Sequence, residues 1–356
     1  MSGTPAPTPR RSLAPFAVAA AFAGAAAGLF ALRTEVQDLR RAAEADRAAL
    51  QEILAEVTRL RIEQSAGIKG PQALIEKLRT YAPLLTSART AEPDYRNAQK
   101  EMDAILRAFG ALGADAWQPI QDRLAGLEPG KDFDEIKQLL RAAMAVDRTK
   151  GIALFRDVLL GQRLPSPRLR WYVGGELAEI DRPLAQDLLR RVLLTESSRG
   201  YNPDHAAAFP GAVVPDRAAL STTGFHNYVL AYARTQDPRL DETLLMILGR
   251  AEHDRMTLQE CVKLLGDRRC ADAAPAVEKL YGQPPFGQED PIFLNYCLEA
   301  IVAIRGKDAQ PFLEAALPKA SSELVQKRIQ FLLNKIATGQ LAQKPAPPPP
   351  KADKPK

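Results

Sequence analysis

The chain has 356 residues, rich in alanine and leucine and poor in aromatics, a balance that favours helix over sheet. Its formal net charge of +5 lies wholly in two tails, Arg10 and Arg11 in the first and Lys344, Lys351, Lys354 and Lys356 against Asp353 in the last, so residues 12–339 are neutral. That argues against a nucleic-acid partner, which needs a basic folded face, while three cysteines without a CxxC exclude a fully paired disulfide framework and the usual zinc spacings.

Residues 1–12 form a short basic tail. Leu13 to Leu32 then run without a charge, long enough at about 1.5 Å per residue to span the roughly 30 Å hydrocarbon core of a bilayer. This spacing predicts a single transmembrane helix over 13–32. Half of its residues are alanine, and Ala23-Gly24-Ala25 has the form of a signal-peptide cleavage site, so a cleaved signal peptide is the rival reading. Gly24 and Gly28 make a GxxxG, which lets two membrane helices approach closely. The basic tail places the N-terminus in the cytoplasm and the body on the other side. Arg33, Arg40, Arg41 and Arg47 count in the opposite sense.

Residues 33–66 carry a heptad pattern. Val36, Ala43, Leu50 and Val57 recur every seventh residue, as do Leu32, Leu39, Ile53 and Leu60, with Asp46 interrupting. Glu35 and Glu56 flank one side of this seam, and Arg40 and Arg61 stand five residues on along the other. In a parallel dimer each glutamate meets the partner's arginine. A parallel homodimeric coiled coil with the seam Val36, Leu39, Leu50, Ile53, Val57 and Leu60 is therefore expected. An amphipathic helix docked on its own body is the alternative. Gly67, Gly70 and Pro71 end the stretch.

From about residue 100 one layout recurs: an apolar-periodic helix, a short polar turn, a second such helix. The segments are 101–126, 134–161, 167–194, 222–249, 255–282 and 289–317, at steps of roughly 30–40 residues with one longer interval. First helices carry sets such as Met102/Ile105/Leu106/Phe109 and Leu258/Cys261/Val262/Leu265. Second helices carry sets such as Leu184/Leu188/Leu189/Val192. The turns include Asp147-Arg148-Thr149, Asp181-Arg182-Pro183 and Gln236-Asp237-Pro238. Helices 71–85 and 93–98 cap one end, and helix 322–338 caps the other.

Segment 168–194, with its Asp181-Arg182-Pro183 turn and paired Leu188-Leu189, resembles a HEAT repeat, and segment 226–248, with Asp237-Pro238, is similar. The other segments share only the layout, so the broader resemblance is to armadillo-like α-solenoids. It implies an all-α fold, a solenoid of helix pairs over 71–339 whose surface binds macromolecules.

Residues 195–221 interrupt the array. This insertion holds three prolines, Tyr201, His205 and Phe209, and shows no helical period. Long insertions in solenoids tend to gather on one face, often the binding face, so Tyr201, Asn202, Asp204, His205 and Phe209 are candidate partner contacts. Asp204 and His205 with Ser197 or Ser198 supply the residue types of a hydrolytic triad, but without a nucleophile elbow or an oxyanion loop. Cys261 and Cys297 occupy equivalent apolar positions and read as buried thiols. Trp117 and Trp171 read as packing residues, His226 and His253 as solvated or capping, and the pairs Arg190-Arg191 and Arg268-Arg269 as surface or turn charges. Residues 340–356 form an extended Pro/Lys-rich tail.

The expected function is that of a non-enzymatic, membrane-anchored scaffold that binds protein through the helical array, with no cofactor, metal or catalytic residue. The alternatives are an enzyme-accessory or catalytic module seated at 195–221, and a nucleic-acid-binding solenoid.

Overall fold

The computed structural model describes residues 70–85, 93–203, 214–220, 224–250, 252–286 and 290–340. The expected membrane span 13–32, the heptad stretch 33–66 with its seam, and the tail beyond Gln340 lie outside the described residues. Among the described residues no helix is long and apolar enough to cross a membrane.

The protein is mostly helical. Its helices are α1 (Pro71–Tyr81), α2 (Pro93–Leu112), α3 (Trp117–Ala125), α4 (Phe133–Val146), α5 (Arg148–Leu159), α6 (Pro167–Ile180) and α7 (Arg182–Thr195). After a short hairpin of β1 (Glu196–Ser197) and β2 (Gly200–Tyr201) come α8 (His226–Arg234), α9 (Leu240–Leu248), α10 (Arg255–Asp267), α11 (Ala274–Gly282), α12 (Pro291–Arg305), α13 (Gln310–Ala316) and α14 (Glu323–Ala337). One element differs from the sequence reading. The segment 93–98 is not a separate cap but the start of α2, because Ala98, Met102, Ile105 and Phe109 form one continuous buried stripe.

The aspartates of the turns act as helix starts. Asp147, Asp181, Asp254 and Asp290 each cap the following helix, their side chains accepting the otherwise orphaned N–H groups of Lys150, Leu184, Thr257 and Ile292/Phe293. Pro183 and Pro291 stand in the first helical turn, where a missing N–H costs nothing.

Packing follows chain order. The helices α2, α4, α6, α8, α10, α12 and α14 touch in succession and form one row. The helices α3, α5, α7, α9, α11 and α13 pack against that row, with α9 also touching both α7 and α11. A continuous apolar core runs from Leu74 in α1 to Ile336 in α14. The helices α10 and α12 approach closely: a Cβ on Gly266 would stand 2.8 Å from the Ala300 Cα.

Polar side chains tie successive pairs together. Arg148 donates to the Ile180 carbonyl at 2.9 Å and Gln186 to the Thr235 carbonyl at 3.0 Å. Arg239 bridges Asp187 and Asp237, Arg190 reaches Thr243 and Glu242, and Arg305 meets Glu278 at 2.7 Å. Arg190 and Arg268 are thus cross-links between helix pairs and not merely solvated charges, Arg268 pairing with Asp241.

Candidate partner-binding surface

The insertion at 195–221 leaves the helical array at the end of α7, where Thr195 is buried and its hydroxyl donates to the Arg191 carbonyl. Glu196 turns the backbone extended, and the hairpin pairs Glu196 with Tyr201 and Ser197 with Gly200. Gly200 has φ +126, a conformation that tolerates few other residues, and the Asn202 N–H closes the ladder on the Thr195 carbonyl at 2.9 Å. Ser198 Oγ donates to Asp254 Oδ2 at 2.7 Å and accepts the Asp254 N–H at 3.0 Å, so the hairpin is fastened to the start of α10. Arg250 donates to the Leu194 carbonyl at 2.8 Å beside it.

The chain returns across the α5–α6 turn. The Asp216 N–H donates to the Gly161 carbonyl at 3.1 Å, and Pro215 and Ala219 are buried against that glycine. Gly161 is at φ +70, and a Cβ there would lie 2.8 Å from the Pro215 Cβ and 2.9 Å from the Ala219 Cβ. Both conformation and space therefore demand glycine.

Arg170 of α6 joins the two ends of the insertion. It is fully buried, as is Glu196. Its guanidinium takes the Glu196 carboxylate in a fork, Nη1 to Oε2 at 2.8 Å and Nη2 to Oε1 at 2.6 Å. Nη1 also donates to the Ala219 carbonyl at 2.9 Å, and Nε to the Leu159 carbonyl at 2.7 Å. One side chain thus holds the outgoing strand, the returning segment and the end of α5. The Tyr228 ring stands 5.5 Å from the guanidinium carbon. Burial works against the arginine's charge, and Tyr228 and Glu196 outweigh it, holding the pKa above its ordinary value. Burial also pushes the Tyr228 phenol well above its ordinary range, with Arg170 acting in the opposite sense.

Of the residues expected in the site, Tyr201 and Asn202 lie half-buried at the outer end of β2. Asp204, His205 and Phe209 lie outside the described residues. The serine hydroxyls are committed elsewhere: Ser198 to Asp254, and Ser197 to the Gly200 carbonyl and the Arg199 N–H. His253 is not solvated but buried, its ring packed 5.3 Å from that of the buried Phe225, in a turn that Ser198 fastens through Asp254. Trp171 packs against Gly224 and the core. Cys261 and Cys297 are fully buried, and burial pushes the Cys261 thiol far up and that of Cys297 up to about 12. Among the described residues no group of three or more His, Cys, Asp or Glu side chains is placed to hold a metal ion.

Sequence reasoning missed Arg170, Glu196 and Asp254. A signal for the first was present: with Leu169, Val173, Gly174, Leu177 and Ala178 it occupies the buried stripe of α6, where a charge requires a partner. The chain matches no family model, no curated protein and no solved structure.

Proposed function

We propose that this chain is a non-enzymatic scaffold. Residues 13–32 anchor it in a membrane, residues 33–66 pair with a second copy as a parallel coiled coil, and residues 71–339 form a HEAT-like α-solenoid that binds a protein partner. Support for the solenoid comes from the two rows of helices that pack on near neighbours in the chain. The observation that carries the binding role is the fastening of 195–221. One buried arginine clamps Glu196 and Ala219, fixing where the segment leaves and rejoins the array, which lowers the ordering cost of binding through it. Residues Tyr201, Asn202, Asp204, His205 and Phe209 are its proposed contacts.

Proximity labelling from a ligase fused to the full chain in its native membrane tests this reading. A recurrent set of labelled proteins is expected, and replacing 204–213 with a short Gly/Ser linker should deplete it. Labelling indifferent to that replacement would remove the insertion from the binding surface. Loss of turnover of any substrate in Asp204→Ala or His205→Ala would overturn the non-enzymatic reading.

A further inference from the structure

We propose that the half-buried face shared by α4 and α6, with Arg168 exposed at its edge, docks an acidic segment of a protein partner, whose carboxylates meet Lys137, Arg141 and Arg168 above the Phe133–Tyr172 pair. This rests on the scaffold reading and names the chemistry of its partner.

The face is built from two facing strips one helical turn apart at each step. Phe133, Lys137 and Arg141 lie along α4, Arg168, Tyr172 and Glu176 along α6, and the two helices are in contact. The rings of Phe133 and Tyr172 meet edge to face with centroids 6.4 Å apart. The Arg168 guanidinium carbon lies 3.8 Å from the Phe133 centroid, and Lys137 Nζ 5.8 Å from that of Tyr172. An aromatic floor therefore carries a layer of cations.

These cations form no direct ion pair, although Asp134 and Glu176 stand near enough to act on Lys137. Among the described residues none of the three has a carboxylate within ion-pairing distance, and Arg141 donates only to the Gln138 amide at 3.2 Å. The arginines that cross-link the helix pairs, Arg190, Arg239, Arg268 and Arg305, are all ion-paired. The Lys137 ammonium is held below its ordinary pKa by burial first; Asp134 and Glu176 act against the shift, Arg141 and Arg168 with it. A partly desolvated cation among like charges gains more from an incoming carboxylate than a solvated one does. A guanidinium held over a ring face retains N–H groups that can meet a carboxylate with two hydrogen bonds.

The occupant is a short acidic stretch of protein, not a polyanion. Asp134 and Glu176 border the cations, and Glu179 is exposed one turn beyond Glu176. A continuous phosphate backbone would meet those carboxylates, whereas a few acidic side chains can reach the cations alone. The apolar floor suits a segment that interleaves acidic with aromatic or aliphatic residues.

The test uses the full chain and a fluorescein-labelled peptide that alternates glutamate with phenylalanine and leucine, read by fluorescence anisotropy across a salt series. Salt-sensitive binding is expected, with Lys137→Gln and Arg168→Gln each weakening it about tenfold, Arg168→Lys nearly as much, and Lys279→Gln without effect. A Lys137→Glu/Arg168→Glu variant should take an oligo-lysine peptide instead, a gain that an unfolded variant could not show. The proposal is overturned by binding that these substitutions leave unchanged, by no salt-sensitive binding, or by tighter and equally variant-sensitive binding to oligo-dT or phosphatidylserine vesicles. Proximity labelling separates the two readings. A partner set unchanged in Lys137→Gln/Arg168→Gln sinks this inference alone, while the absence of any recurrent partner sinks the scaffold reading with it.

Discussion

At the residue scale the decisive group is Arg170. Its neighbours along α6 announce a buried stripe, yet its partners stand 26 and 49 residues away, at Glu196 and Ala219. Periodicity is local and cannot reach across that interval, so the charge in the stripe was legible and the clamp was not. Arg170→Met should cost about 3–5 kcal/mol in urea unfolding, because it strands the Glu196 carboxylate in the interior. Arg170→Met with Glu196→Leu should recover part of the loss, since no uncompensated charge is left; an equal or larger loss in the double variant would show that the hydrogen bonds to Leu159 and Ala219 dominate. Asp237 offers a pH-dependent contribution. Burial raises its pKa, but Arg239 through side chain and backbone, together with Tyr232, lowers it further, and the net shift is downward. A carboxylate whose folded pKa is depressed stabilises the fold above its unfolded pKa of about 3.9. That contribution is lost as pH falls through the folded value. Acid titration of stability should therefore show a smaller drop below about pH 4 in Asp237→Asn than in the parent chain. The thiols give a simpler contrast. Cys270 is half-buried and the other two are fully buried, so a thiol reagent at mildly alkaline pH should modify Cys270 alone until urea is added.

At the scale of elements, the helices and their turns were readable because apolar spacing and Asp N-caps are both written within a few residues of each other. Asp147 and Asp181 mark the starts of α5 and α7 as the turns implied. The split placed near residue 99 failed for the same reason: Gln99, Lys100 and Glu101 are a polar run on the outer side of α2, while Ala98 and Met102 keep the buried stripe unbroken. The hairpin at 196–201 has strands too short for alternation to register. The contact between α10 and α12 depends on Gly266, and nothing in its own helix says so. Gly266→Ala places a methyl group on the Ala300 backbone, which cannot withdraw as a flexible side chain would. A loss of about 1–3 kcal/mol is expected in thermal or urea unfolding. Ala300→Gly in the same chain should restore little, because the Cα at 2.8 Å remains.

At the scale of the whole molecule, the proposed pairing through 33–66 separates from the helical body in a useful way. Among the described residues the apolar core runs from Leu74 to Ile336, and on the coiled-coil reading seam variants should change assembly and leave the body's own unfolding transition in place. Sedimentation of residues 33–340 is expected to give a dimer at concentrations on the order of tens of micromolar. Leu50→Asp with Val57→Asp should give a monomer with the same far-ultraviolet melting profile above the coil transition. Charge placement tests the parallel register itself. In that register Glu35 faces the partner's Arg40 and Glu56 the partner's Arg61. A chain with Glu35→Arg and Glu56→Arg sets like charges opposite each other and should self-associate more weakly. So should a chain with Arg40→Glu and Arg61→Glu. Mixed, the two should pair with each other in preference to themselves, since every opposed pair is again of opposite sign. Equal self-association in both variants and in the mixture would place 33–66 on its own body instead. The array would then act singly, and any avidity at a membrane would have to come from elsewhere.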